Sequence, residues 1–264
     1  MSAATNTATN AVGHENRVPK VTWDFWVIKL LAVTMGETAA DFLNAQLGLG
    51  LTNTSLIMGA ILAVALYFQF AQKRYVPAYY WVAVILMSIV GTLVTDNLID
   101  NLGYTLLGTT ITFSIILAIV FAVWFAVERT LSIHTIFTNS REAFYWLAIL
   151  FTFALGTAFG DYMAEALSLG FLSAGVIFGV VIAAIYLGFR NFGLDAVLAF
   201  WLAYILTRPL GASIGDLLSQ DVSNGGLGFG PMVTSAVFLT VIVAVIVYMT
   251  TTHDGNEVVY DDKA

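Results

Sequence analysis

One spacing occurs four times in this chain. Trp26, Trp81, Trp146 and Trp201 are each followed ten residues later by a glycine (Gly36, Gly91, Gly156, Gly211) and fifteen residues later by an aspartate (Asp41, Asp96, Asp161, Asp216). The segments read FWVIKLLAVTMGETAAD, YWVAVILMSIVGTLVTD, YWLAILFTFALGTAFGD and FWLAYILTRPLGASIGD. Three fixed positions matched in four copies are not a chance event, and such a period decides the architecture before any local motif does. The tryptophans stand 55, 65 and 55 residues apart, so the second half of the chain repeats the first after 120 residues.

Each copy is too apolar to be a soluble unit. The 264 residues are 59% hydrophobic and 10% charged, where a soluble domain carries about a quarter charged residues. Apolar runs able to cross a bilayer need roughly 20 residues each. They fall near 24–44, 54–72, 78–99, 104–127, 143–166, 171–189, 195–218 and 229–250. The fold expected is therefore an all-α integral membrane protein of eight transmembrane helices, two per repeat. Arg17, Lys20, Lys73, Arg74, Arg129, Arg141, Arg190 and Lys263 fall in the tails or in the second, fourth and sixth connections. The positive-inside rule then puts both termini in the cytoplasm and the protein in the cell (inner) membrane. Two spans per unit make the repeats parallel, related by an axis along the membrane normal. Residues 1–20 read as a disordered cytoplasmic tail and not a signal peptide, and 251–264 as an acidic cytoplasmic tail. Between them, 21–250 form one membrane domain with repeats near 21–75, 76–130, 141–193 and 194–250.

The Trp–Gly–Asp segments resemble a bacterial membrane-protein family of unknown function built from four tandem two-helix repeats, each marked by a tryptophan. The resemblance covers about residues 20–250 and includes all four copies. It implies the architecture and no chemistry.

The polar residues lie on the odd-numbered spans, and the even spans are almost wholly aliphatic and expected to face lipid. Positions ten and fourteen after each Trp are Gly36/Ala40, Gly91/Thr95, Gly156/Gly160 and Gly211/Gly215, a small-xxx-small stripe suited to close helix packing. Positions eleven, fifteen and nineteen share the adjacent face: Glu37/Asp41/Ala45, Thr92/Asp96/Asp100, Thr157/Asp161/Glu165 and Ala212/Asp216/Gln220. Acids are expensive within a bilayer and usually mark ion pathways or proton relays. If the odd helices pack together, these columns converge on a shared depth, with Asp100 and Glu165 at the outer mouth. The bland alternative is that the acids sit at the outer interface and reach into water. The tryptophans are expected as anchors in the cytoplasmic aromatic belt, and Lys29 as a side chain snorkelling to the cytoplasmic surface. Arg208, seven residues past Trp201, is a candidate counter-ion for one acid or a contact for an anionic substrate. Pro209 beside it is expected to kink the seventh span.

Several classes are excluded or disfavoured. The absence of cysteine removes disulfides, thiolate metal sites and thiol catalysis. A net charge of −7 argues against nucleic acid. There is no Ser/His/Asp arrangement, phosphate-binding loop or HExxH, and the Gly160-Asp161 and Gly215-Asp216 pairs lack the first glycine of a Gly-x-Gly-Asp protease motif. An enzyme is not expected, and no cofactor is implied. The expected partners are the lipid bilayer and a small cation or solute; the oligomeric state is left open. Oxygen ligands suit Mg²⁺, Mn²⁺ or Ca²⁺. The leading expectation is a secondary transporter or exporter of a hard divalent cation, with Glu37, Asp41, Asp96, Asp161 and Asp216 as metal-binding groups and Thr92 and Thr157 beside them. Proton exchange fits, because clustered carboxylates do not all stay ionised once a metal leaves. The alternatives are a proton-coupled carrier of a small anionic solute using Arg208, and a non-catalytic membrane sensor or scaffold.

Overall fold

The computed structural model of the chain describes residues 15–252. Among these residues there are eight long helices: α1 (Trp23–Asp41), α2 (Leu51–Phe70), α3 (Pro77–Asp96), α4 (Leu106–Glu128), α5 (Asn139–Asp161), α6 (Gly170–Phe192), α7 (Ala196–Ser219) and α8 (Pro231–Thr252). All but α1 are long and apolar enough to cross a membrane. That first helix is of similar length but carries Asp24, Lys29, Glu37 and Asp41. Three odd helices continue past their repeat aspartate into a π-helical turn, Phe42–Gln46, Asn97–Asn101 and Tyr162–Ala166, whereas α7 ends without one.

The odd helices form a closed inner ring in the order α1, α3, α5, α7 and back to α1, and each even helix packs on the outside of the next odd one: α2 on α3, α4 on α5, α6 on α7, and α8 on α1. The chain therefore joins its ends in space, with the last helix filling against α1 the place that α2 fills against α3. Within the most apolar 18-residue stretch, only 17% to 22% of each even helix is buried, against 56% to 67% for α3, α5 and α7. Rows such as Leu56, Ile57, Ile61 and Val64 on α2, or Ile111, Ile115, Ile119 and Val123 on α4, lie exposed. An apolar perimeter of this extent belongs in lipid.

The register of the ring follows from the repeat. At each neighbouring pair the glycine ten residues after one Trp is a notch for the residue seven after the next. Ser88 lies against Gly36, Phe153 against Gly91, Arg208 against Gly156, and Val33 against Gly211. Four parallel helices in the same register, with the fourth pair closing on the first, give a pseudo-fourfold axis. At the Trp end the same relation holds between rings. Phe25 meets Trp81 at 5.7 Å, Tyr80 meets Trp146 at 5.5 Å, Tyr145 meets Trp201 at 6.2 Å and Phe200 meets Trp26 at 5.7 Å between centroids. Tyr80 and Tyr145 share a hydroxyl hydrogen bond of 2.5 Å across this layer.

Two expectations are corrected here. Trp81, Trp146 and Trp201 are buried between helices, not exposed in a belt; the large exposed indole is Trp23, at 77%. Their N–H groups find partners at the helix ends, on the Tyr75 hydroxyl, Glu142 and the Leu131 carbonyl. The N-terminal tail expected over 1–20 is docked at its end. The Asn16 side chain donates to the Ile133 carbonyl, Tyr75 donates its N–H to the Asn16 carbonyl, and Arg17 pairs with buried Glu142 at 2.7 Å. Val18 is buried beside them. Residues 1–14 and the acidic tail at 253–264 lie outside the described residues. Helix α7 runs unbroken through Pro209, whose ring fits against Gly156 and Gly160 of α5.

Candidate functional site

Inside the ring, the repeat arithmetic builds layers about 6 Å apart, because four helical residues rise that far. The layer eleven residues after Trp holds Glu37, Thr92, Thr157 and Ala212. Arg208 reaches into it from one turn below on α7. Its Nη2 donates to Glu37 Oε2 at 2.6 Å, to Thr157 Oγ1 at 2.8 Å, and to Thr92 Oγ1; Nη1 donates to the Val33 carbonyl at 3.1 Å. Thr92 also donates to Glu37 at 3.3 Å. One guanidinium thus ties together all four inner helices. Arg208 is fully buried, and its charge is met by Glu37.

Above this floor is a cavity of about 210 Å³, lined by Glu37, Asp41, Asp96, Asp161 and Asp216, with Asp100, Glu165, Asn44 and Gln220 around its rim. The four repeat aspartates contribute one carboxylate from each inner helix. Burial grades along the axis: Asp100 and Glu165 are exposed, Asp41, Asp96 and Asp161 half-buried, and Asp216 and Glu37 buried. Gln220 Nε2 donates to Asp41 at 3.3 Å. Asp96, Asp161 and Asp216 receive no side-chain hydrogen bond from the described residues, so their oxygens face the cavity.

The rim owes its shape to the π-helical turns. A π turn widens the helix at one point and is often found where a chain builds a site. Here Asn44, Ile99, Asp100 and Glu165 come from such turns. Asn97 holds one of them against α2 by donating to the Ser55 hydroxyl at 2.7 Å.

The structure thus brings Glu37, Asp41, Asp96, Asp161, Asp216, Asp100 and Glu165 around one cavity, as the columns foretell. Thr92, Thr157 and Arg208 lie in the floor, engaged with one another. The expected metal set does not form a ligand cage: among the described residues no three of Asp, Glu and His are placed to hold a metal ion together. The reason is geometric. The aspartates stand on four separate helices around the ring, and Glu37 is turned to Arg208. Direct ligation needs oxygens 2.0–2.6 Å or so from a single point.

Lys29 is corrected as well. It does not snorkel but is fully buried, its Nζ donating to the Tyr204 carbonyl at 2.9 Å and standing 3.8 Å from the Tyr204 ring centre. Asn44 was not foreseen; the turn after Asp41 directs position eighteen of the first repeat to the rim. Glu142, bonded by Arg17, Gln69 and Trp146, was also missed, because it precedes its Trp and has no counterpart in the other copies.

A ring of four two-helix repeats with an apolar perimeter and an acid-lined central cavity defines a multi-pass membrane protein whose polar chemistry is held on its axis. The chain belongs to the family described as Repeat of Unknown Function (DUF347), which it matches four times, over residues 25–75, 79–130, 144–189 and 199–254. No curated protein and no solved structure matches it.

Proposed function

We propose that this protein is a carrier of a hard cation of the Mg²⁺/Mn²⁺ class, taken up with part of its water shell in the central cavity. The observation that carries the reading is the charge balance of that cavity: seven carboxylates surround about 210 Å³, and the arginine of the floor pairs with one of them, Glu37, which leaves six without it. Such a cluster needs positive charge in the cavity, as metal or as protons. The lack of a ligand cage among the described residues suits an ion that gives up its inner water reluctantly, as Mg²⁺ does, and is held by carboxylates through that water. Exchange for protons follows, since the vacated acids take them up.

The positive-inside rule gives the orientation. Connections bearing Lys73, Arg74, Arg129 and Arg141 adjoin the Trp end of the ring, together with the docked Arg17 segment. The cavity opens at the other end, so it faces away from the cytoplasm, with both termini inside. All eight helices, α1 included, are read as spans.

The rival reading, an anionic solute held by Arg208, loses its key group. The guanidinium is fully buried, bonded to Glu37, Thr92, Thr157 and Val33, and absent from the cavity lining.

The test is metal flux into liposomes containing the purified protein, for the parent chain and for Asp41→Asn, Asp161→Asn and Asp216→Asn. Each variant is expected to lose most Mn²⁺ or Mg²⁺ uptake. Unchanged flux in all three defeats the carboxylate site. A thermal-shift panel separates the rival: stabilisation by organic acids but by no divalent cation favours the anionic solute.

A further inference from the structure

The wall of the central cavity is made of acceptors. Seven of its eleven side chains are carboxylates, two (Ile99 and Leu106) are apolar, and the amide of Gln220 is turned to Asp41. Among the described residues no Lys, Arg or His lines it. Asp216 is the sharpest case. It is only 7% exposed and borders the cavity, and no hydrogen bond or ion pair from the described residues reaches its carboxylate. A carboxylate so far from bulk water is costly unless donors meet it. Those donors have to come from what fills the cavity.

The occupant must therefore be cationic and rich in N–H or O–H groups. A bare divalent ion supplies the charge but not the fit, since among the described residues no three acids are placed to ligate one ion together. A metal ion that keeps its inner water supplies both. Mg²⁺ holds water octahedrally and sheds it reluctantly, and each bound water turns its hydrogens outward. Such an ion offers donors in every direction, and the repeat aspartates surround it from all four inner helices. The room is sufficient. At about 30 Å³ per water, a cavity of about 210 Å³ holds roughly seven water-sized groups, enough for an octahedral aqua ion.

We propose that the cavity recognises its cation as a complete aqua ion, through hydrogen bonds from the bound water to the repeat aspartates, with no carboxylate bonded to the metal. This rests on the cation-carrier reading and narrows it, from an ion that keeps part of its water to one that keeps all of it. Size and donor pattern, not ease of dehydration, then select the ion.

Hexaamminecobalt(III) is the probe. Its ammine groups copy an octahedral shell of outward donors and stay on the metal throughout the measurement. The full chain in detergent is titrated with hexaamminecobalt(III) and with MgCl₂ at constant ionic strength, and the thermal midpoint is followed for the parent and for Asp216→Asn. Both ions are expected to raise the parent midpoint saturably, and Asp216→Asn to need about tenfold more of each. Hexaamminecobalt(III) is also expected to compete with Mn²⁺ for entry into liposomes. Should Asp216→Asn not insert, Asp96→Asn, half-buried on the same cavity, gives the same reading. Stabilisation by Mg²⁺ but not by the inert ion overturns the proposal, because the metal then bonds the carboxylates directly. So does stabilisation by hexaamminecobalt(III) that the aspartate variant leaves unchanged, which is screening of surface acids. Failure of the carrier reading looks different: both ions stabilise the protein, yet no saturable Mn²⁺ flux is seen.

Discussion

Arg208 and Glu37 occur once each in a chain that repeats nearly everything else, and each depends on the other. A buried charge left without its partner costs about 3–5 kcal/mol, whereas replacing both by apolar residues of similar volume is often neutral. Glu37→Gln is therefore expected to lower stability by about 3–5 kcal/mol, seen as a marked fall in thermal midpoint in detergent, while Glu37→Leu combined with Arg208→Met recovers most of it. A double variant no more stable than the single one would mean that Thr92 and Thr157, not Glu37, satisfy the guanidinium. At this scale the sequence is informative where it repeats. The shared depth of the four aspartates is legible from their distance to Trp alone. Lys29 and the tryptophans are misread for one physical reason: distance along a helix gives depth but not radial direction. The closed ring of four helices buries its Trp end nearly as fully as its middle, so groups placed near that membrane surface by counting residues still lie inside the protein.

The inner helices meet through glycine notches, and this sets how closely they approach. A Cβ added at Gly91 would stand 2.8 Å from the Phe153 Cβ and 3.2 Å from the Ala154 nitrogen, on a backbone that cannot retreat without moving α5. Gly91→Ala is expected to destabilise by about 1–3 kcal/mol through overpacking. Gly59 on α2 is the control. Nothing lies within 4 Å of its added Cβ, and Gly59→Ala should be neutral or stabilising by up to about 1 kcal/mol, from helix propensity. Thermal unfolding of the two variants beside the parent decides the matter; equal midpoints would show that the interfaces are looser than their geometry. The small-residue stripe is readable as a packing face because small residues have few other uses at helix interfaces in a bilayer. Which residue fills each notch is not readable, since it depends on the order of helices around the ring. The exchange of outer helices, α2 onto α3 and not onto α1, is hidden for the same reason: even helices of uniform aliphatic character carry no mark of the neighbour they choose.

Closure of the ring makes the molecule two similar halves that complete each other. A break after Arg129, in the connection between α4 and α5, leaves α1–α4 in one piece and α5–α8 in the other. The first half offers an unpaired even helix, α4, and an unpaired odd one, α1; the second offers α8 and α5, and both junctions are of the kind that recurs within each half. Packing alone would thus let a half pair with its own copy. The floor of the cavity forbids it. Two copies of the first half would bring two Glu37 carboxylates to the axis without a guanidinium, and two copies of the second would bring two Arg208 side chains without a carboxylate. Like charges forced together in this way are what discriminates between otherwise similar partners. Co-expressed halves, each with a different affinity tag, are expected to be recovered from the membrane mainly as the mixed pair, with little of either self-pair. Glu37→Leu in the first half and Arg208→Met in the second remove the discriminating charges and leave the notches intact, so self-pairs should then rise toward the statistical share. Sequential purification on the two tags measures this directly. If the mixed pair stays as dominant without those charges as with them, partner choice lies in the helix surfaces and not in the floor of the cavity.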